Sequence, residues 1–166
     1  MSTYVVVNTY THTVTHVAAR MMLTLKEIIR GIGLDPGYLT DQWPTLERGL
    51  TAWLTSQHLQ RVVLEIFHPT TKALVARWDL DVIYGYTGDG SLWADTDAIR
   101  YSIAKAGLVA GRCEYRIVVT TKPGRPAVDG WGPATLKSTD GFTRYAVGST
   151  IGGNGIAAQA AYWVKR

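Results

Sequence analysis

The sequence is poor in cysteine and in long apolar runs. Among its 166 residues Cys113 is the single cysteine, so no internal disulfide can form and a reducing compartment is the simpler expectation. No apolar run approaches the roughly 20 residues of a membrane span. The N-terminal stretch MSTYVVVNTYTHTV lacks the positive flank and long apolar core of a signal peptide. We therefore expect a cytoplasmic protein that does not bind membranes.

Charge is also sparse, and it is not concentrated anywhere. Charged residues make up 18% of the chain and apolar residues 46%, a balance typical of a folded domain. The length is that of one ordinary domain with its own core. The formal net charge is +4, but the basic residues are scattered rather than clustered. This scattered pattern does not favour a nucleic-acid partner. A weak nucleic-acid-binding domain is kept only as an alternative.

No catalytic or metal-binding motif is complete. His12 and His16 have a spacing that can share a metal, but the Glu of HExxH and a third ligand are missing, so a pair of helix-surface histidines is the simpler interpretation. The glycine cluster Gly152–Gly155 lacks the lysine of a phosphate loop. Cys113 has no neighbouring base, which favours a structural thiol. We expect no catalytic residue, no metal and no cofactor; a small hydrolase or transferase with an unrecognised site is the alternative.

Apolar periodicity predicts three helices. From Val14 to Ile32 apolar residues recur at three- and four-residue steps, and the wide stripe predicts a central helix against a sheet. A second helix is predicted from about Trp43 to Ser56, with Asp41 as its cap and Pro44 in its first turn. A third helix is predicted after a cap formed by Asp95 or Thr96.

Strand patterns surround these helices. Thr3–Thr9 reads as a short strand, and Gln60–His68 with Ala73–Ile83 as a hairpin. The second hairpin strand alternates strictly, which predicts one apolar face and one polar face carrying Asp79 and Asp81. Cys113–Thr121 is a later strand, ended by a Pro/Gly-rich stretch.

The C-terminal stretch, residues 127–166, is rich in glycine yet keeps several aromatic residues. It has no strong period, so we interpret it as a mobile element that can dock. Trp131 on its loop is either a plug into the core or a binding anchor, and the plug is the more common case. We expect truncation from Ala127 onward to leave a folded core.

Three stretches, taken in order, carry a family resemblance. They are VVVNTYTHTVTHVAARMMLTLKEIIRGIGL, RWDLDVIYGYTGDGSLWADTDAIRYSIAKAGL and EYRIVVTTKPGRPAVDGWGPATLKST. Together they resemble bacterial HORMA domain proteins, which are found beside the enzymes of cyclic-oligonucleotide-based anti-phage signalling (CBASS). The resemblance covers essentially the whole chain and rests on element order rather than on a catalytic signature.

The resemblance implies an α+β HORMA fold, with three main helices packed on a small antiparallel sheet. It implies a single domain over residues 1–166, with a core of about residues 1–122 and a C-terminal safety belt of about residues 123–166. In such proteins the closed belt wraps a short peptide, the closure motif, which adds to the sheet as a strand. An exposed sheet edge is a physical template for that addition.

The resemblance also implies sites and partners. The core strand beside the peptide site matches Tyr115–Thr121, and the segment engaged by an AAA+ remodelling ATPase matches Thr3–Tyr10. The expected function is a non-enzymatic regulator of a cGAS/DncV-like nucleotidyltransferase, switched by a closure-motif peptide or a second HORMA protein and opposed by the ATPase. The peptide-binding candidates are Tyr115, Ile117, Val119, Thr121 and Trp131, and the remodeller-engaged candidates are Tyr4, Val5, Val6 and Val7.

Overall fold

The computed structural model describes residues 9–165, which form three helices and six strands. The helices are α1 (Tyr10–Gly31), α2 (Gly37–Thr55) and α3 (Thr96–Ala106). The strands are β1 (Leu59–Phe67), β2 (Leu74–Tyr86), β3 (Trp93–Ala94), β4 (Glu114–Thr121), β5 (Phe142–Gly152) and β6 (Gly155–Lys165). The predicted strand Thr3–Thr9 lies outside the described residues except for Thr9, which caps α1.

All six strands form one antiparallel sheet in the order β3-β5-β6-β2-β1-β4. The helices cover one face of it, and α1 is central because it contacts α2, α3, β5 and β6. The apolar stripe of α1 is buried: Val17, Met21 and Ile28 are 0% exposed. The predicted α+β architecture, with three helices on an antiparallel sheet, is confirmed within residues 9–165. The sheet has more strands than expected because the C-terminal stretch adds to it.

Helix α2 corrects the predicted start at Trp43. It begins at Gly37, so Asp41 is not its cap and Pro44 lies inside the helix rather than in its first turn. The Gly37 N–H is held from outside by Asp35 Oδ1, at 2.8 Å. Pro44 cannot donate to the Thr40 carbonyl, but both residues are exposed, so water can satisfy that carbonyl. The helix therefore tolerates a proline that we took for a start signal.

Strand β2 corrects the predicted solvent face. Asp79 is 0% exposed and Arg77 5%, although both lie on the face predicted to be polar and solvated. Arg77 Nε donates to Asp79 Oδ1 at 2.7 Å, and the indole N–H of Trp163 on the neighbouring strand β6 donates to Asp79 Oδ2 at 3.0 Å. The two charges are buried because they satisfy each other, which is the usual condition for buried ions.

The C-terminal stretch is not the patternless tail that we expected. Strand β6 lies between β5 and β2, and four of its alanines are at most 2% exposed. With both faces buried, the strand has no apolar–polar alternation by which to find it. Truncation from Ala127 would remove this internal strand, so we no longer expect it to leave a folded core. The four alanines are Ala157, Ala158, Ala160 and Ala161.

Helix α3 follows its prediction. Asp95 is the N-cap, and its Oδ1 accepts the Ala98 N–H at 3.0 Å. Gly107 ends the helix with φ of 85°, a conformation that favours glycine. Across residues 9–165, none of the helices combines the length and the apolar character that crossing a bilayer requires.

Candidate functional site

Strand β4 ends the sheet. It pairs with β1 on one side, and no other strand within residues 9–165 pairs with its second side. Alternate residues of an edge strand direct their backbone N–H and C=O groups outward. The second edge of β4 is therefore a free template along a strand of eight residues.

Helix α2 forms one wall beside this edge. The Tyr115 hydroxyl on β4 donates to the Asp35 carbonyl at 2.8 Å and accepts the Leu39 N–H at 3.1 Å. These two bonds tie the start of β4 to the first turn of α2. The ring of Tyr38 packs edge-to-face on Tyr115, with centroids 5.7 Å apart. Burial raises the pKa of the Tyr115 hydroxyl, which keeps it protonated as a donor.

The opposite wall is the irregular chain between β4 and β5, residues 122–141, which we call the crossing segment. Its first anchor is Trp131, whose indole N–H donates to the Thr45 carbonyl at 3.0 Å. The Trp131 ring packs edge-to-face on Trp53 of α2 at 5.0 Å. A Cβ at Gly49 would lie 2.3 Å from the indole nitrogen, so only glycine leaves room there. Trp131 is thus a plug between the crossing segment and α2.

The second anchor lies on the sheet face away from the helices. The Glu65 carboxylate of β1 is 0% exposed; it accepts Arg116 Nε of β4 at 2.6 Å and the Lys137 backbone N–H at 2.6 Å. Arg116 Nη2 also donates to the Thr135 carbonyl. This partly buried ion pair therefore holds two residues of the crossing segment, Thr135 and Lys137. Charge-assisted bonds of this kind are about twice as strong as neutral ones.

Three recesses follow the free edge of β4. One of about 190 Å³ lies against α2, and one of about 230 Å³ lies under the crossing segment. A third, of about 400 Å³, lies at the beginning of β4. The first two share Ile117, Trp131 and Gly132, and the first and third share Tyr38 and Arg116. The recesses are therefore continuous, and we call them together the edge groove.

The structure brings the predicted peptide-binding residues together in this groove. Tyr115, Ile117 and Val119 lie on the helix-facing side of β4, since they pair with Ile66, Leu64 and Val62 of β1. Thr121 lines the end of the groove, and Trp131 lines its middle. Their role in binding stays a prediction. The remodeller-engaged candidates Tyr4, Val5, Val6 and Val7 lie outside the described residues.

Sequence reasoning missed the residues that hold the crossing segment. Glu65 and Arg116 were not predicted as site residues, nor were Trp53 and the α2 side chains that line the groove. One signal was available: Glu65 stands inside the apolar run of β1, where a carboxylate is buried and needs partners.

The histidine pair has structural roles. Thr9 and His12 form a capping box at the start of α1, and His16 Nε2 lies 3.0 Å from the Trp93 carbonyl. Within residues 9–165, no three His, Cys, Asp or Glu side chains converge in a way that could hold a metal.

The fold of the chain resembles that of several solved structures. The chain is similar to a chain of the mitotic checkpoint complex (TM-score 0.76, 9% identity, covering 92% of this chain and 98% of that one). It is similar to Caenorhabditis elegans HTP-2 bound to the HIM-3 closure motif (TM-score 0.76, 12% identity, 96% and 93% covered). It is also similar to a chain of the CdnC:HORMA-deltaN complex of Escherichia coli MS115-1 (TM-score 0.59, 11% identity, 99% and 94% covered).

At these identities the structural likeness establishes the fold alone. No curated protein sequence matches the chain. The family comparison is more direct, because the model described as bacterial HORMA domain 2 matches residues 1–166. The match spans every element described above, including the free edge of β4 and the crossing segment. The chain belongs to the bacterial HORMA domain 2 family.

Proposed function

We propose that this protein is a non-enzymatic regulator that captures a peptide as an added strand on β4, beneath the crossing segment. The observation that carries the proposal is the free second edge of β4, enclosed between α2 and residues 122–141. An added strand gains main-chain hydrogen bonds along such an edge, and recesses for alternate side chains give specificity. The HTP-2 neighbour is bound to a closure motif, which supports this use of the fold.

The crossing segment is the proposed movable part of the safety belt. Its hold on the sheet rests on Trp131 and on the Glu65–Arg116 pair, whereas β5 and β6 are paired in the sheet. Release of those two anchors opens the edge groove without breaking a strand. Two packings of one chain can coexist when they differ by only a few kcal/mol, and a peptide that binds one of them shifts the population toward it.

The proposed target is a cGAS/DncV-like nucleotidyltransferase of a CBASS system in the bacterial cytoplasm. The neighbour in complex with CdnC supports this assignment. In the proposed cycle the peptide-bound form activates the nucleotidyltransferase, and an AAA+ ATPase reverses the state by acting on the N-terminal segment that contains Tyr4–Val7. The closure motif is supplied either as a peptide of a partner protein or by a second HORMA protein.

Peptide capture is tested by selection from a displayed library of random 12-residue peptides. Gly132→Leu is the matched negative control, because Gly132 lines two of the recesses and a Cβ there meets no atom within 4 Å. Tyr101→Ala is the positive control, since Tyr101 is 65% exposed on α3, away from β4. We expect wild type and Tyr101→Ala to enrich the same peptides and Gly132→Leu to enrich none of them. Equal enrichment by all three proteins would overturn the proposal.

The enzyme partner is tested by co-purification from cells that carry the flanking genes, followed by a turnover assay. We expect a nucleotidyltransferase to be recovered and its nucleotide turnover to rise when this protein and a selected peptide are both present. Turnover that is unaffected by either addition would contradict the regulatory role while leaving peptide capture intact.

A further inference from the structure

The largest recess of the edge groove has an apolar lining. The cavity of about 400 Å³ at the beginning of β4 is lined by Leu34, Tyr38, Phe67, Cys113 and Tyr115, together with three charged residues. Tyr38 is one of the few large hydrophobic side chains that stay exposed within the described residues, at 57%. A concave apolar surface of this size is typical of a ligand site rather than of ordinary exposed surface.

The charged groups around this cavity are already engaged. Asp35 Oδ1 accepts the Gly37 N–H at 2.8 Å, Glu114 pairs with Lys72 at 3.2 Å, and Arg116 pairs with Glu65 at 2.6 Å. The two acidic residues, Asp35 and Glu114, are exposed, so a charged side chain gains little from pairing with them and loses its hydration on entering the apolar part of the cavity. An apolar side chain would instead cover Leu34 and the tyrosine rings. The chemistry of the lining therefore selects an apolar occupant.

The cavity also has a defined place relative to β4. Tyr115 at this cavity and Ile117 at the recess against α2 lie two residues apart on the same face of β4. In an added strand, residues i and i+2 share a face with the same spacing. The two recesses are therefore in register with two side chains of one bound strand. No residue of the crossing segment lines the larger cavity, so its occupant can enter without opening that segment.

We propose that the bound peptide carries two apolar residues at positions i and i+2, the larger one anchored in the cavity formed by Leu34, Tyr38 and Tyr115. The inference rests on the proposed function, because it assigns specificity within the same groove. The smaller partner residue fills the recess of about 190 Å³ beside Leu39, Leu46 and Ile117. The anchor lies outside the crossing segment, so it sets the register of the peptide before the segment closes over the rest.

The peptides selected by wild type are the probe for the test. Gly111 lines the cavity, has no positive φ, and would place a Cβ with no atom within 4 Å, so Gly111→Leu adds an apolar side chain at the cavity lining without straining the free fold. We expect Gly111→Leu to bind a labelled wild-type-selected peptide about 10–100-fold more weakly in fluorescence anisotropy, and to lose selection at one apolar position. Replacing that peptide residue by alanine should produce the same loss with wild type and little further loss with Gly111→Leu.

Cys113 gives a readout that is independent of affinity. It is half-buried in the cavity lining, and it is the single thiol of the chain. A saturating peptide with its apolar anchor should slow alkylation of Cys113 by iodoacetamide at least tenfold, whereas a saturating alanine-anchor peptide should not. Selected peptides without an i, i+2 apolar pair, or unchanged affinity in Gly111→Leu, would overturn the anchor and leave peptide capture standing. If every peptide enriched by wild type is also enriched by Gly132→Leu, or if wild type enriches none, both the anchor and peptide capture are overturned.

Discussion

Glu65→Gln should release the crossing segment from the sheet while leaving the helical core folded. The Glu65 carboxylate accepts two donors at once, Arg116 Nε and the Lys137 backbone N–H, each at 2.6 Å, and is 0% exposed. Glutamine has the same shape but only one side-chain oxygen. Its NH₂ group would therefore face either Arg116 Nε or the Lys137 N–H, and that hydrogen bond would be lost. The other contacts of Glu65 on strand β1 are backbone pairings that the substitution does not touch.

The magnitude follows from the bonds that are lost. A hydrogen bond to a charged group contributes about 1.5–3 kcal/mol, and the donor left unsatisfied adds its own desolvation cost. We therefore expect the free energy of opening the crossing segment to fall by about 2–3 kcal/mol, which is about 30–150-fold in the open population. Glu65→Ala removes both acceptors and should open the segment further than Glu65→Gln, although Arg116 is 33% exposed and water can satisfy part of its guanidinium. Trp131 still anchors the segment at α2, so the opening stays local.

The measurement is amide hydrogen exchange read by mass spectrometry on fragments that cover residues 122–141 and residues 59–67. Exchange of the hydrogen-bonded amides in the first fragment, among them that of Lys137, should accelerate about 30–150-fold. Exchange in the second fragment should change little, because local opening and global unfolding are separate events. Glu27→Gln is the matched control: it breaks an ion pair with Arg100 that is largely exposed, and should shift neither fragment measurably. Equal acceleration of both fragments would refute a local role for the Glu65 anchor, since Glu65 would then stabilise the whole sheet.

Three further predictions concern other parts of the fold. Gly49→Ala should displace Trp131 and weaken the protection of residues 128–134 in hydrogen exchange, despite a helix-propensity gain of about 1 kcal/mol, because the new methyl would lie 2.3 Å from the indole nitrogen. Asp95→Ala should remove the cap on Ala98 and cost about 1 kcal/mol in urea denaturation, with Asp95→Asn recovering most of it. Burial raises the pKa of the Tyr84 hydroxyl, so the folded state favours its neutral form. The free energy of unfolding should therefore hold below about pH 10 and fall as the pH rises above that value. The fall should be less steep in Tyr84→Phe.

The parts of the fold that could be predicted are those where one face is apolar and the other is not. Helix α1 was found from its period because ten of its residues are buried along one stripe. The β1–β2 hairpin and α3 were found for the same reason, helped by the Asp95 cap. Strand β6 was missed because burial on both faces removes alternation, and small alanines do not mark a strand. The start of α2 was missed because its first N–H groups are held by Asp35 and Tyr115 rather than by a capping residue.

The candidate site could likewise be predicted only in part from the sequence. Strand β4 could be identified from its branched and aromatic residues, and Trp131 from its place on a glycine-flanked loop. The hold on the crossing segment could not, because it depends on three groups that are far apart in the chain and meet only in the folded sheet: Glu65, Arg116 and Lys137. A carboxylate inside an apolar strand indicates that buried partners exist, but not which ones.

That distinction bears on how such a protein can be tuned. The recess of about 400 Å³ at the beginning of β4 is lined by residues outside the crossing segment, so its shape does not depend on that segment. Opening of the crossing segment is set by two anchors, the indole plug of Trp131 and the buried Glu65 carboxylate, which accepts two charge-assisted bonds. The Glu65 anchor lies on the sheet face away from the helices, so substitutions at Glu65 can change the rate of peptide entry while the recess of about 400 Å³, which no residue of the crossing segment lines, keeps its lining. Variants of Gly111 should therefore change peptide affinity, and variants of Glu65 should change the rate of peptide entry, independently of each other. A strict correlation of affinity with entry rate across both sets of variants would show that the groove and the Glu65 anchor form one unit.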